Sequence, residues 1–97
     1  MERKIGFNEW NTNRLKEGKK TSTIRHTKKG KEGDTFKVDN KTYVLDFIVE
    51  LPMWFICRWL FRTEGCYSST GFMLMWKKIE KYKPDDMMWY HHFSEVK

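Results

Sequence analysis

The sequence predicts a small α+β domain, barrel-like in build, with helices between and beside short strands. Three observations carry that reading. The chain has 97 residues, the size of one domain, and its single modest core buries somewhat over ~60 % of the unfolded surface. Short runs rich in β-branched and aromatic residues recur between turn signals, as strands do. Between these runs lie stretches with helix caps and helical spacing. Apolar residues make up 39 % of the chain and aromatic ones 16 %, enough for that core and for some rings to line a pocket.

In chain order, KIGF (Lys4–Phe7) is expected as a short opening strand. Asn8 suits the N-cap of a helix running to about Glu17, and Gly18 the left-handed residue that ends it. KTSTIR (Lys20–Arg25) is dense in β-branched residues and reads as a strand, with His26–Asp34 as the loop after it. Thr35–Val38 and Thr42–Leu51 flank Asp39–Lys41, a hairpin signal. After Pro52, the stretch Met53–Arg62 is open between a strand and a short helix pairing Phe55 with Trp59 and Ile56 with Leu60. Ser68 or Ser69 can cap a helix carrying Phe72, Trp76 and Ile79 at i, i+4 and i+7, expected to end near Tyr82 and Pro84. Met87–Val96 closes the chain as a strand.

Charge is unevenly placed. Nineteen Lys and Arg against 13 Asp and Glu give +6, but Arg14 to Lys31 alone holds eight basic residues and one acid, Glu17. That window nets +7 and leaves −1 for the rest. A field so localised attracts phosphates and steers polyanions. Lys19, Lys28, Lys29 and Lys31 are therefore the candidate nucleic-acid contacts, the plain alternative being solvated loop charges.

Cys57 and Cys66 are too few and too far apart for a disulfide scaffold or zinc knuckle, and read as reduced thiols of a cytoplasmic protein. No metal or other cofactor is expected. His26, His91 and His92 show no ligand spacing, and neighbours on a strand face opposite ways. The amino-terminal stretch lacks the apolar run of a signal peptide. The longest apolar run, Leu51–Phe61, is broken by Pro52 and Arg58 and falls short of the ~20 residues that span a bilayer.

One set of spacings is more specific. Gly18, Lys20, Thr23 and Arg25 form G-x-K-x-x-T-x-R between the helix end and the strand. Gly33 and Asp34 make a GD turn into the next strand. Glu64 and Gly65 precede a serine-started helix with Ser68, Phe72 and Trp76, followed by Tyr82 and Pro84. In this order the motifs resemble those of the ASCH domain family, and the likeness runs from about Asn13 to the final strand. The resemblance implies a PUA-like small β-barrel with flanking helices, related to RNA-binding modules, with a basic cleft lined by these polar groups. Family members of about this length hydrolyse the exocyclic amide of N(4)-acetylcytidine to cytidine and acetate. Carried over, Lys20, Thr23 and Glu64 are the catalytic set, Gly18 and Arg25 belong to the substrate site, and RNA or a modified nucleoside is the partner. The chain departs from the family at Gly71, where an acidic residue commonly follows the helix-starting serine, and at Leu51–Arg62, which is unusually aromatic.

The residue types suit such chemistry. A threonine hydroxyl attacks a carbonyl only when a base takes its proton, and a lysine serves as base when burial or nearby cations depress its pKa. A carboxylate can pass a proton to the leaving amine, and Arg25 or backbone N–H groups can stabilise the oxyanion. Lys20 and Thr23, three apart, face opposite sides of an ideal strand, so Lys20 is expected before the strand proper. One of Trp54, Trp59 or Trp89 is expected to wall the cleft, with Trp54 taken as the substrate contact. Two alternatives stand beside the enzyme: a non-catalytic RNA-binding module on the same fold, and a partner surface on Trp54–Phe61.

Overall fold

A computed structural model describes the whole chain, Met1–Lys97. Its elements are β1 (Glu2–Arg3), α1 (Glu9–Lys16), β2 (Ser22–Arg25), β3 (Thr35–Val38), β4 (Lys41–Pro52), α2 (Met53–Trp59), α3 (Ser69–Lys77) and β5 (Met87–Glu95). The five strands form one sheet in the order β1-β3-β4-β5-β2. Only the β1–β3 pairing is parallel. The α+β class is the one the sequence predicts, with β1 and β2 at the two ends of the strand order. No helix is long and apolar enough to cross a membrane.

Local chemistry sets the helix ends. Asn8 accepts the Asn11 N–H at 2.8 Å and starts α1, while Gly18 at φ 75° ends it in the left-handed region that glycine enters freely. Ser68 accepts the Gly71 N–H at 3.0 Å and starts α3. The ambiguous aromatic stretch is helical. Met53, Ile56 and Cys57 fall on the inner face of α2 at helical spacing, and Trp54 and Trp59 point outward.

A bulge in β4 organises the core. The β4–β5 register slips between Leu45 and Phe47, leaving Asp46 as the extra residue. Tyr43 and Leu45 precede it and pack with Ile5, Leu15, Phe36, Val38 and Phe93; Ile48, beyond it, packs against that same cluster. An uninterrupted strand puts residues 45 and 48 on opposite faces, so the inserted residue restores the match. The second cluster joins Met88 and Tyr90 to Ile24, the inner face of α2, Cys66, Phe72 and Trp76. Because Met88 and Tyr90 alternate with His91 and Phe93 along β5, the two clusters lie against opposite faces of the sheet.

Two boundaries differ from expectation. Strand pairing occurs at Glu2–Arg3, while Lys4–Phe7 is irregular. There the Gly6 carbonyl accepts from Arg25 Nη2 at 2.6 Å and Phe7 turns in to pack at the edge of the first cluster. The third helix ends at Lys77, short of Tyr82, because Lys78 and Ile79 donate to the carbonyls three residues back and tighten the last turn. Ile79 therefore lies outside the helix and is 52 % exposed.

Candidate functional site

The segment after α2 is what brings the motif residues together. Both Thr21 N–H and Ser22 N–H donate to the Thr63 carbonyl, at 2.7 and 3.0 Å, and Lys20 forms a β-bridge with Glu64. This sets Glu64 beside the start of β2. Gly65 follows at φ 86°, a left-handed conformation, where an added methyl group would come within 3.2 Å of the Arg14 stem and 3.5 Å of the Lys20 stem. Side chains rarely adopt that backbone state, so the E-G pair is a backbone requirement as well as a chemical one.

Lys20 lies ahead of β2, as its spacing requires. Its Nζ meets Glu64 Oε1 at 3.2 Å, with the two side chains 3 % and 2 % exposed. Ser22 Oγ donates to Glu64 Oε2 and lies 2.8 Å from Thr63 Oγ1, which in turn sits 2.7 Å from the Tyr90 hydroxyl. Burial raises the Tyr90 phenol above its ordinary pKa, against the lowering effect of Ser22 and Thr63. Thr23, 3 % exposed, accepts from Arg25 Nε at 3.2 Å. The Arg25 guanidinium lies 5.2 Å from the Phe7 ring centroid. Burial lowers its pKa, with the Glu64 carboxylate opposing; an arginine so shifted stays charged.

Lys20, Thr23, Arg25 and Glu64 open on one cleft of about 400 Å³, within the range of small-molecule sites. Met75, Trp76, Ile79 and Glu80 line it too, as do Phe7, Asn11, His26 and Lys29. The lining carries both signs: Lys20, Arg25 and Lys29 against Glu64 and Glu80. Within the lining, His26 Nε2 meets both Glu80 carboxylate oxygens, at 2.7 and 2.9 Å.

Several predicted contacts fall elsewhere. Trp54 is 46 % exposed on α2, edge-on to Phe55, and does not line the cleft; the tryptophan that does is Trp76. Helix α2 turns Trp54 outward because its inner face is taken by Met53 and Ile56. Gly18 shapes the helix end and is likewise outside the lining. Lys19 is held away by Glu17 at 3.0 Å and lies 5.8 Å from the Tyr67 ring centroid. Lys28 and Lys31 stand on the following loop, and of the four candidate lysines only Lys29 reaches the cleft.

Ser22, Thr63, Tyr90, Asn11 and Glu80 went unread in the sequence, and His26 was weighed there only as a metal ligand. Ser22 had one signal: it stands inside the G-x-K-x-x-T-x-R motif at a variable position. The three histidines occupy three places, His26 on Glu80, His92 on Asp46 at 3.0 Å, and His91 buried on backbone groups. Cys57 and Cys66 are both buried free thiols, and burial raises Cys66 above its ordinary pKa.

No protein-family profile matches the sequence, and no curated protein does. At the level of structure the chain is similar to an ASCH domain from Lactobacillus crispatus JV V101, with a TM-score of 0.60 and 9 % sequence identity. The superposition covers 97 % of this chain and 77 % of that one. On this likeness and the strand order above, the protein has the fold of an ASCH domain.

Proposed function

We propose that the cleft binds a cytosine-type nucleotide, free or within RNA, and hydrolyses the amide of N(4)-acetylcytidine. The observation that supports this most is the buried Lys20–Glu64 contact of 3.2 Å on the wall that also carries Thr23. Thr23 Oγ1 attacks the acetyl carbon. Its proton leaves through Lys20 once Lys20 has passed its own to Glu64, and Glu64 delivers it to N4 as the C–N bond breaks. Water then cleaves the acetyl ester, releasing acetate and restoring the hydroxyl. Arg25 Nε, which donates to Thr23 Oγ1, favours the ionised oxygen. A positioned proton donor of this kind is worth about 10²–10⁴ in rate.

Incubation with N(4)-acetylcytidine and chromatography of the products tests the reading. Wild-type protein releases cytidine and acetate; Thr23→Val, nearly isosteric, loses turnover while its melting temperature stays close to wild type. Absence of cytidine, or full turnover by Thr23→Val, rules the mechanism out. One observation favours the second reading, a binding module without chemistry: the Thr23 hydroxyl is engaged by Arg25 and makes no hydrogen bond to Lys20. Binding of the nucleoside without its turnover selects that reading.

A further inference from the structure

The loop after β2 carries a second recess outside the chemistry just described. It is lined by Arg3, Lys4, Lys28, Lys29, Gly30 and Lys31 and holds about 500 Å³. Five of these six residues are cationic and none is acidic. Lys4, Lys28, Lys29 and Lys31 have no carboxylate partner. Arg3 gives only its Nε to Asp34, at 2.8 Å, which leaves its two Nη groups free to fork onto an anion.

The loop is held in shape from beneath. Lys29 N–H donates to His91 Nε2 at 3.0 Å and Lys31 N–H to Asp34 Oδ2 at 3.1 Å. Gly30 sits so tightly on the fold that an added methyl group would come within 3.0 Å of Leu45 and 3.1 Å of Asp34. The Asp34 carboxyl, held down to about 2 chiefly by its hydrogen bond from Arg3, stays ionised and fixes Arg3 and the loop together. The loop backbone and Arg3 are thus set before any ligand arrives.

Lys29 lines this recess and the cleft alike, so one side chain joins the two. Lys28 Nζ lies 5.6 Å from the Trp89 ring centroid, which sets an aromatic ring beside the cations. Cations with an aromatic neighbour are the composition that holds single-stranded nucleic acid. We propose that Arg3, Lys4, Lys28, Lys29 and Lys31 bind backbone phosphates of a single-stranded RNA whose base enters the cleft. A polymer is then held more tightly than the free nucleoside, because only the polymer reaches both the cleft and the recess. The entry of a base rests on the function proposed above; the phosphate recess rests on its own cations.

The test is fluorescence anisotropy with a single-stranded RNA octamer carrying one central N(4)-acetylcytidine, over 50–200 mM salt (about the range in which phosphate contacts are read). Each phosphate contact to a single strand contributes about 0.7 to the salt slope. Lys28→Ala/Lys31→Ala therefore lowers the slope by about 1.4 and weakens binding at low salt by roughly tenfold or more. Lys28→Glu/Lys31→Glu weakens it further, and melting temperatures verify that both variants fold. An unchanged slope and affinity overturn the proposal, as does equally tight binding of polyglutamate. Octamer binding that depends on these lysines, without release of acetate from the octamer or of cytidine from the nucleoside, upholds the recess and removes the hydrolase. Release of cytidine from the nucleoside, with the octamer bound no more tightly than the nucleoside, does the reverse.

Discussion

At the scale of single residues, the Lys20–Glu64 pair sets the terms. Both side chains are almost wholly out of water, and desolvating a charge costs several kcal/mol even after relaxation. Their 3.2 Å contact and the Ser22 hydroxyl offset that cost. Removing one partner leaves the other charge buried and uncompensated. Lys20→Met and Glu64→Met singly are expected to lose about 3–5 kcal/mol each, whereas the double variant, with an apolar pair of similar volume, loses less than either. Urea unfolding of the four proteins measures this. Losses that simply add would mean that the two side chains do not sense one another.

Among the elements, β4 carries the decisive irregularity. The extra residue at Asp46 lets residues on both sides of the bulge meet the clusters they match. Deleting Asp46 turns Phe47–Pro52 by one residue and moves Ile48 off the first cluster and Leu51 off the second. Loss of a cooperative thermal transition is the expected result by circular dichroism. Asp46→Ala keeps the residue count and loses only the side-chain bonds to His92 and Ser94, so its transition stays cooperative. A deletion variant that melts like wild type would show that the slip in register has no structural weight.

For the molecule as a whole, His91 is the tie between separate regions. Its Nε2 takes the Lys29 N–H, so its Nδ1 carries the proton and donates to the carbonyls of Trp89 and Thr23, at 3.0 and 3.3 Å. One neutral ring thus joins the loop, β2 and β5. Burial pushes its pKa below the ordinary 6.5, against the two carbonyls that raise it, with Arg25 and Lys29 adding to the lowering. The unfolded chain therefore binds the proton more readily. The stability that His91 contributes is full above pH 6.5 and is lost as pH falls from there through its lower folded value. Denaturant unfolding at pH 7.5 and 5.5 is expected to show wild type ahead of His91→Gln at the higher pH and a narrower gap at the lower. A gap independent of pH would mean that the ring has the same pKa in the folded and unfolded chain.

Much of this was legible along the chain. Caps at Asn8 and Ser68, the β-branched run at Ser22–Arg25 and the turn at Asp39–Asn40 are local features, written where they act. Lys20, Thr23, Arg25 and Glu64 were legible because motif spacing preserves residue type, and they do line one cleft. The partners that complete the site were not. Thr63 and Tyr90 reach Ser22 across 41 residues and from a neighbouring strand, and His26 meets Glu80 across 54. Trp54 looked like a cleft wall because an exposed and a lining tryptophan read alike in one dimension. Local propensity and charge are properties of a residue and its near neighbours, and the sequence determined those by itself. Which hydroxyl meets which carboxylate, and which ring faces the cleft, depends on the packing of distant segments, and only the tertiary structure decided it.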